Sequence, residues 1–397
     1  MEVRDRHLTL LAGAIGVSAV GDFVAMIALA LRVNTQWQGA GVAVLLICLW
    51  APSALLAGHV GLLVDRLENR SLAIWSALFQ AVVAASLAFV HGLPVTFVLT
   101  FLLGVGVAVS GAAEFALVPL LAGSRDIGRA NGLVESWRGV GFVIGPAIGG
   151  LLTGGAGATV ALLVDAATFV VIAFVLASLP VRRRVEQREG AAKPRARDGV
   201  KLLFSQRVLA ITLGAGALTL VFMSASIPAD VVYTKNVLGM GDWAVGVVLS
   251  AWALGLVVAA NLIPSRIPLA SIATATLLAA AVQGAAKFVA PFWLSYSFML
   301  ACWTVGGMGH GVKNVGFRTL IHDCIPSDQH GRAFAAFNGL RNGAELVALA
   351  CGGLLVTTLG ARGTLWLAGG LSACVALVGV ALLAGSTQTE AARANAS

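Results

Sequence analysis

Carboxylates at Asp22, Glu114, Glu135, Asp165, Asp230 and Glu345, and cations at Arg138, Lys313, Arg318 and Arg341, stand inside segments that are otherwise apolar. Ionisable groups are costly to hold away from water, so each one kept there suggests a site, a relay or a paired partner. A carboxylate in such a place can cycle between protonated and charged forms, because desolvation works against its charge. Asp22 comes first in this reading. It lies about 14 residues into the first apolar segment, roughly 21 Å along a helix that rises about 1.5 Å per residue. Glu114, beside Phe115, comes second. Both are candidates for holding a proton or touching a substrate, against the alternative of a structural ion pair. His310 and Lys313 join them. His310 stands within, and Lys313 just after, the run Gly306-Gly307-Met308-Gly309-His310-Gly311, which reads equally as a flexible cavity wall or as a tightly packed helix face.

Other charges read as pairs. Glu135 and Arg138 are three apart, and Arg341 and Glu345 are four apart, so each set shares one helix face. A structural or gating role is expected of both. Asp165 is expected to face protein, with no specific role, and Asp230 to lie near the outer end of its segment. The five cysteines show no CxxC spacing, and four of them lie in apolar segments, which suggests small core residues. No metal cluster, catalytic triad or GxxxxGK[ST] loop occurs. No enzyme, no cofactor and no ATP-driven step are therefore expected.

The elements that must position these groups are set by composition. Of 397 residues, 58% are hydrophobic and 11% charged, and the mean hydropathy is +0.91. Soluble domains carry about 25% charged residues. Lipid must be the solvent for most of this surface. A helix needs about 20 apolar residues to cross the hydrocarbon core, and helices satisfy their own backbone there. The segments are too long, and alternate too little, for a β-barrel. Twelve spans are predicted, at 8–32, 42–64, 72–93, 95–121, 130–153, 157–180, 208–232, 243–264, 268–289, 292–317, 333–357 and 363–385. The start, Met1 to His7, is charged and no clear cleavage site follows, so the first segment reads as a span rather than a signal peptide.

The net charge of +8 is concentrated. Nine Lys or Arg residues fall between Arg182 and Arg207. That segment is flanked by spans, so it reads as a positive-inside signal and not as a nucleic-acid surface. Both termini are then cytoplasmic. Residues 1–180 form one expected bundle of six helices, 181–206 a basic linker lying against anionic headgroups, and 207–397 a second bundle with a short tail. A short interfacial helix is predicted over about Asp198 to Ser205.

An internal repeat supports two halves. Residues 128–152 (GRANGLVESWRGVGFVIGPAIGGLL) and 331–355 (GRAFAAFNGLRNGAELVALACGGLL) match at nine of 25 positions with a constant offset of 203. The matches include Arg129 with Arg332 and Arg138 with Arg341. Repeats of this kind place a substrate site near the membrane midplane.

Two motifs carry a resemblance. Gly61-Leu62-Leu63-Val64-Asp65-Arg66-Leu67-Glu68-Asn69-Arg70 resembles the signature loop G-x-x-x-D-R-x-G-R-R of the major facilitator superfamily, departing from it at Glu68 and Asn69. Gly61 would permit close helix approach, and Asp65 would sit near the positive end of a facing helix. Gly132, Gly141, Gly145, Pro146, Gly149 and Gly150 fit G-x8-G-x3-G-P-x2-G-G, similar to the antiporter signature of drug–proton exporters in that superfamily. The surrounding wording resembles the branch of macrolide-efflux and siderophore-export proteins. The resemblance implies an all-α membrane protein of twelve helices in two pseudo-symmetric bundles, in which helices 1, 4, 7 and 10 line the cavity. It implies a monomeric secondary transporter in the cytoplasmic membrane. That transporter would exchange protons for a small amphipathic drug or natural product, in contact with membrane lipids, with Asp65, Arg66 and Arg70 as a latch. Trp and Phe side chains with one or two carboxylates would hold the substrate. Import or lipid flipping on the same fold, and a sensor or scaffold that transports nothing, are the alternatives.

Overall fold

The computed structural model describes residues 2–122, 127–181, 196–326 and 329–394. Most of the basic linker, residues 182–195, lies outside the described residues. Among the described residues, nine helical runs are long and apolar enough to cross a membrane. Two of the nine are each a pair of helices joined at a break. The first breaks at Trp37 (φ −141°) and Gln38 (φ 46°). The last breaks at Gly360, whose φ of 68° lies in the left-handed region that glycine tolerates. Tyr296–Cys324, 29 residues long, escapes the count because it carries polar residues, and it completes twelve.

In chain order the helices are α1 (2–36), α2 (39–66), α3 (Asn69–Phe89), α4 (Leu93–Ala122), α5 (Ile127–Ala156), α6 (Ala158–Ser178), α7 (Arg207–Val237), α8 (Asp242–Leu262), α9 (Ile272–Val289), α10 (Tyr296–Cys324), α11 (330–359) and α12 (361–394). A short helix, Ala196–Leu203, precedes α7. The chain is an all-α membrane protein.

It divides into two compact units. The first holds Met1–Ala191 with Gly239–Ser250, and the second holds Ala192–Leu238 with Ala251–Ser397. The start of α8 thus clusters with the helices of the first unit, a grouping that sequence composition does not reveal. Glycine explains it. A Cβ on Gly150 would sit 2.9 Å from the Asp242 carbonyl oxygen and 3.1 Å from the Gly246 nitrogen. Pro146, lacking an N–H, interrupts the α5 ladder. The neighbouring Ala147 N–H donates to Ser250 Oγ at 3.0 Å.

The same motif seats α5 on α1. An added Cβ would lie 2.7 Å from Ala19 Cβ at Gly141, 2.7 Å from Phe23 Cβ at Gly145 and 2.9 Å from Val24 Cα at Gly149. The contacts advance together along both chains, so the two helices run in the same direction, backbone against backbone. Small residues four apart permit this approach. Gly132 and Gly61 differ, because both face open space. The expectation that Gly61 brings helices together is not met.

In the second unit the glycine-rich stretch of α10 is a packing face. Gly306 would meet Trp252 of α8 at 2.8 Å, Gly311 would meet Ala260 at 3.1 Å, and Gly309 would meet Gln283 of α9 at 3.0 Å. α10 is wedged between α8 and α9, which decides for the packed face over the flexible wall. Arginines close helix ends. Arg32 donates to the carbonyls of Leu87 (2.6 Å) and Val90 (2.9 Å) at the end of α3. Arg362 donates to the Pro291 carbonyl at 2.9 Å, stacked 4.9 Å from the Trp366 ring. Free carbonyls at a helix C-terminus favour such cations.

Gly145→Val should lower the melting temperature of the purified protein, since an overpacked contact costs about 1–3 kcal/mol. Gly132→Ala should leave it equal or slightly higher, since an exposed helical glycine gives up about 1 kcal/mol relative to alanine. A thermal melt in detergent, run on both variants, checks the difference.

Candidate functional site

The close seating of α5 on α1 places two charged positions on one cavity. The cavity, of about 390 Å³, is lined by Asp22 of α1, Gln80 of α3, Glu114 and Ser110 of α4, and Arg138 of α5. Apart from Ser18 of α1, its remaining walls are apolar and include Phe23, Phe142 and Phe169. The Phe23 and Phe142 rings lie 5.0 Å apart. No tryptophan lines this cavity, contrary to the expectation of Trp side chains. Trp137 instead packs against Gly16.

Arg138 is the hub. Its Nη2 lies 3.6 Å from Glu114 Oε2, and its Nη1 lies 3.3 Å from Glu135 Oε1. The two acids differ in burial: the Glu114 side chain is 8% exposed and that of Glu135 is 65% exposed. An ion pair at an exposed carboxylate contributes little, so Glu114 is the partner that matters. Sequence spacing pointed to Glu135 alone, because Glu114 comes from another helix. Asp22 faces the same cavity and makes no ion pair within the described residues.

Beside it lies a group that sequence reading left without a role. Asp165 of α6 is fully buried, and neither carboxylate oxygen has a hydrogen-bond partner. Its Oδ1 lies against Gly21, where a Cβ would come within 2.7 Å. Buried polar groups are nearly always hydrogen-bonded, which makes this one exceptional. Gln80 directs its Nε2 to the Ser76 carbonyl (3.1 Å) and leaves its Oε1 without a partner.

The second unit holds two polar clusters. Asp230, expected at an outer end, is buried. Lys287 Nζ donates to Asp230 Oδ1 (2.8 Å), Asp230 Oδ2 (2.7 Å) and Ser226 Oγ (2.8 Å). It also lies 5.4 Å from the Trp252 ring and 5.1 Å from the Trp303 ring. All three ammonium donors are used, so the cluster is closed. The other cluster joins two predicted site residues. Lys313 Nζ donates to Gln283 Oε1 at 2.7 Å, and Gln283 Nε2 meets His310 Nδ1 at 3.0 Å. The amide oxygen is taken by Lys313, so the amide nitrogen donates and His310 Nδ1 accepts. The ring is therefore the neutral tautomer with its proton on Nε2. Arg341 and Glu345 do not approach to ion-pairing distance, contrary to the expectation from their spacing.

At the C-terminal end of α2, Asp65 and Arg66 are exposed. Arg70 donates through Nε to the Leu176 carbonyl (2.9 Å) and through Nη2 to the Ala177 carbonyl, closing the end of α6. Glu68, at the position that departs from the signature, caps α3 by accepting from the Ser71 N–H at 3.2 Å.

The model of the Major Facilitator Superfamily matches residues 11–341 and again 264–396. The chain belongs to the major facilitator superfamily. Among curated proteins, the uncharacterized MFS-type transporter YfiS of Bacillus subtilis (strain 168) is 21% identical over 364 residues, covering 89% of this chain and 87% of YfiS. Solved structures share the fold. A D323A mutant of the nucleoside transporter NupG superimposes with a TM-score of 0.77 at 14% identity, over 94% of this chain and 99% of that one. A bacterial homologue of the iron transporter ferroportin, in an inward-facing state, gives 0.72 at 15% identity, over 95% of this chain and 98% of that one.

As a major facilitator transporter, this multi-pass membrane protein carries its charges in two chemically distinct sets. The first unit groups acids about a single arginine. The second holds a saturated lysine–aspartate pair and, separately, a lysine whose one hydrogen bond goes to a neutral amide. Removing one member of a buried pair costs about 3–5 kcal/mol, because its partner is left uncompensated. Asp230→Leu should therefore destabilise the protein strongly in a chemical melt. The double variant Asp230→Leu with Lys287→Met should recover most of the loss.

Proposed function

We propose that this transporter exports a small amphipathic molecule across the cytoplasmic membrane by proton antiport and alternating access, with both termini on the cytoplasmic side. One observation carries the reading: Asp22 and Glu114 share a cavity of about 390 Å³ with a single arginine. With both acids ionised, the set carries one negative charge beyond what Arg138 neutralises. One proton or one monocation restores neutrality. Adding both restores an excess charge in a region of low dielectric, where charge is costly. Proton and cationic substrate therefore exclude each other, which is the requirement for exchange. The Phe23 and Phe142 rings offer the apolar surface that an amphipathic cation needs, and the volume falls within the range of about 300–1,000 Å³ usual for small-molecule sites.

The rest of the machinery is assigned on the same basis. Asp65, Arg66 and Arg70 act as the cytoplasmic latch, with Arg70 held on the last carbonyls of α6. Glu135 steadies Arg138 from the exposed side. Gly141, Gly145 and Gly149 keep α5 against α1 so that Asp22 and Arg138 stay on one cavity. The resemblance of the α5 motif to drug–proton exporters supports the outward direction, and that of its surrounding sequence supports the macrolide and siderophore branch.

Everted membrane vesicles test the proposal, using a panel of lipophilic cations and macrolides that includes ethidium. Uptake should require an imposed proton gradient, acid inside. Asp22→Asn and Glu114→Gln should each reduce it at least tenfold at normal expression. Normal transport by both variants, or gradient-driven uptake seen only in right-side-out vesicles, would refute the assignment. Competition also fixes a sign: ethidium should bind the purified protein more weakly as pH falls, and Asp22→Asn should flatten that dependence.

A further inference from the structure

Of the cluster about Lys313, the lysine itself lines a second, smaller cavity that the exchange of a cation for a proton does not use. Lys313 is 1% exposed and lies on α10, within the span. An ammonium has three N–H donors, and among the described residues this one makes a single hydrogen bond, to Gln283 Oε1 at 2.7 Å. A buried cation with unfilled donors and no direct counter-ion is costly to keep. The contrast with Lys287 in the same unit is direct, since there an aspartate and a serine take every donor.

Lys313 lines a cavity of about 60 Å³ together with Arg341 of α11. The other walls include Leu213 and Leu220 of α7, Phe317 of α10 and Phe337 of α11. The cavity is therefore an apolar slot with two cationic side chains on its wall. Glu345, one turn along α11 from Arg341, is within electrostatic reach of both cations but forms an ion pair with neither. His310, held as an acceptor toward Gln283, supplies no negative charge. With Lys313, Arg341 and Glu345 all ionised, the groups around the slot sum to one positive charge in excess, the opposite of the acid-rich cavity in the first unit. The repeat sharpens the comparison. Arg138 and Arg341 are equivalent by the offset of 203, but Arg138 faces a glutamate from α4 whereas Arg341 shares its slot with a lysine from α10.

We propose that the slot between α7, α10 and α11 binds a short-chain carboxylate of about acetate size, its head on Lys313 and Arg341 and its methyl end against the apolar wall of Leu213, Phe317 and Phe337. A carboxylate accepts from both cations in a charge-assisted arrangement, fills the open donors of Lys313 and removes the excess charge. Inorganic phosphate offers the charge without the apolar end, and an amine offers the apolar end with the wrong sign.

The test is equilibrium dialysis of radiolabelled acetate against the purified full-length protein in nanodiscs, with empty nanodiscs as the blank and no proton gradient imposed. Saturable binding of one acetate per chain is expected. It should weaken at least tenfold in Lys313→Met and in Arg341→Gln, and equal concentrations of ethylamine or inorganic phosphate should not displace it. If Lys313→Met does not fold, Arg341→Gln, at a half-buried position, decides the matter. The proposal is overturned if no saturable component exists, if the folded variants bind as tightly as the native protein, or if ethylamine displaces acetate equally well. None of these readouts depends on export or on proton exchange, so failure of that reading and failure of this one are separable.

Discussion

Hydrocarbon cannot solvate a charge, and every charged side chain within these helices is arranged around that constraint. Lys287 meets it completely: two carboxylate oxygens and a hydroxyl take its donors, and two indole rings lie nearby. Arg138 meets it by bridging a buried and an exposed glutamate. Asp22, Asp165 and Lys313 meet it only in part. Asp22 and Lys313 line cavities, and Asp165 stands fully enclosed with neither oxygen bonded. Incomplete compensation is what marks a site in such a protein. A group that the fold leaves short of a partner is one that a proton or a ligand can supply.

Glycine makes the arrangement possible. Helices in lipid gain nothing from hiding apolar surface from one another, so they associate through close packing. Gly141, Gly145 and Gly149 bring α5 onto the backbone of α1, and Gly306, Gly309 and Gly311 wedge α10 between α8 and α9. In each unit the seating determines which charged residues share a cavity. The α5 motif thus has a local consequence: a bulkier residue at Gly145 would push Phe23 and its neighbour Asp22 away from the helix that carries Arg138.

The two units use related sequence for opposite electrostatics. The repeated arginine is present in both, but the first unit surrounds it with carboxylates and the second places it beside a lysine. A duplicated scaffold can keep its packing residues and change the sign of its cavity by one or two substitutions on a neighbouring helix, since packing depends on volume and the cavity depends on charge. Fold likeness to a nucleoside transporter at 14% identity is consistent with this separation of scaffold from chemistry.

The sequence alone determined the class of the molecule. Only twelve apolar segments crossing a membrane account for its composition, and the motif positions sufficed to place it in its superfamily. Asp22 and Glu114 could be picked out because ionisable residues are rare in lipid-facing sequence. What tertiary structure decided was partnership. Glu135 was legible as a partner of Arg138 because a helix repeats every 3.6 residues, but Glu114 lies 24 residues away on another helix, beyond any periodicity. The burial of Asp230 on Lys287, the isolation of Asp165, the lack of an ion pair between Arg341 and Glu345, and the open space around Gly61 and Gly132 are likewise relations between helices. Helical periodicity tells which face a residue occupies on its own helix. Only the packing of one helix on another tells what that face meets.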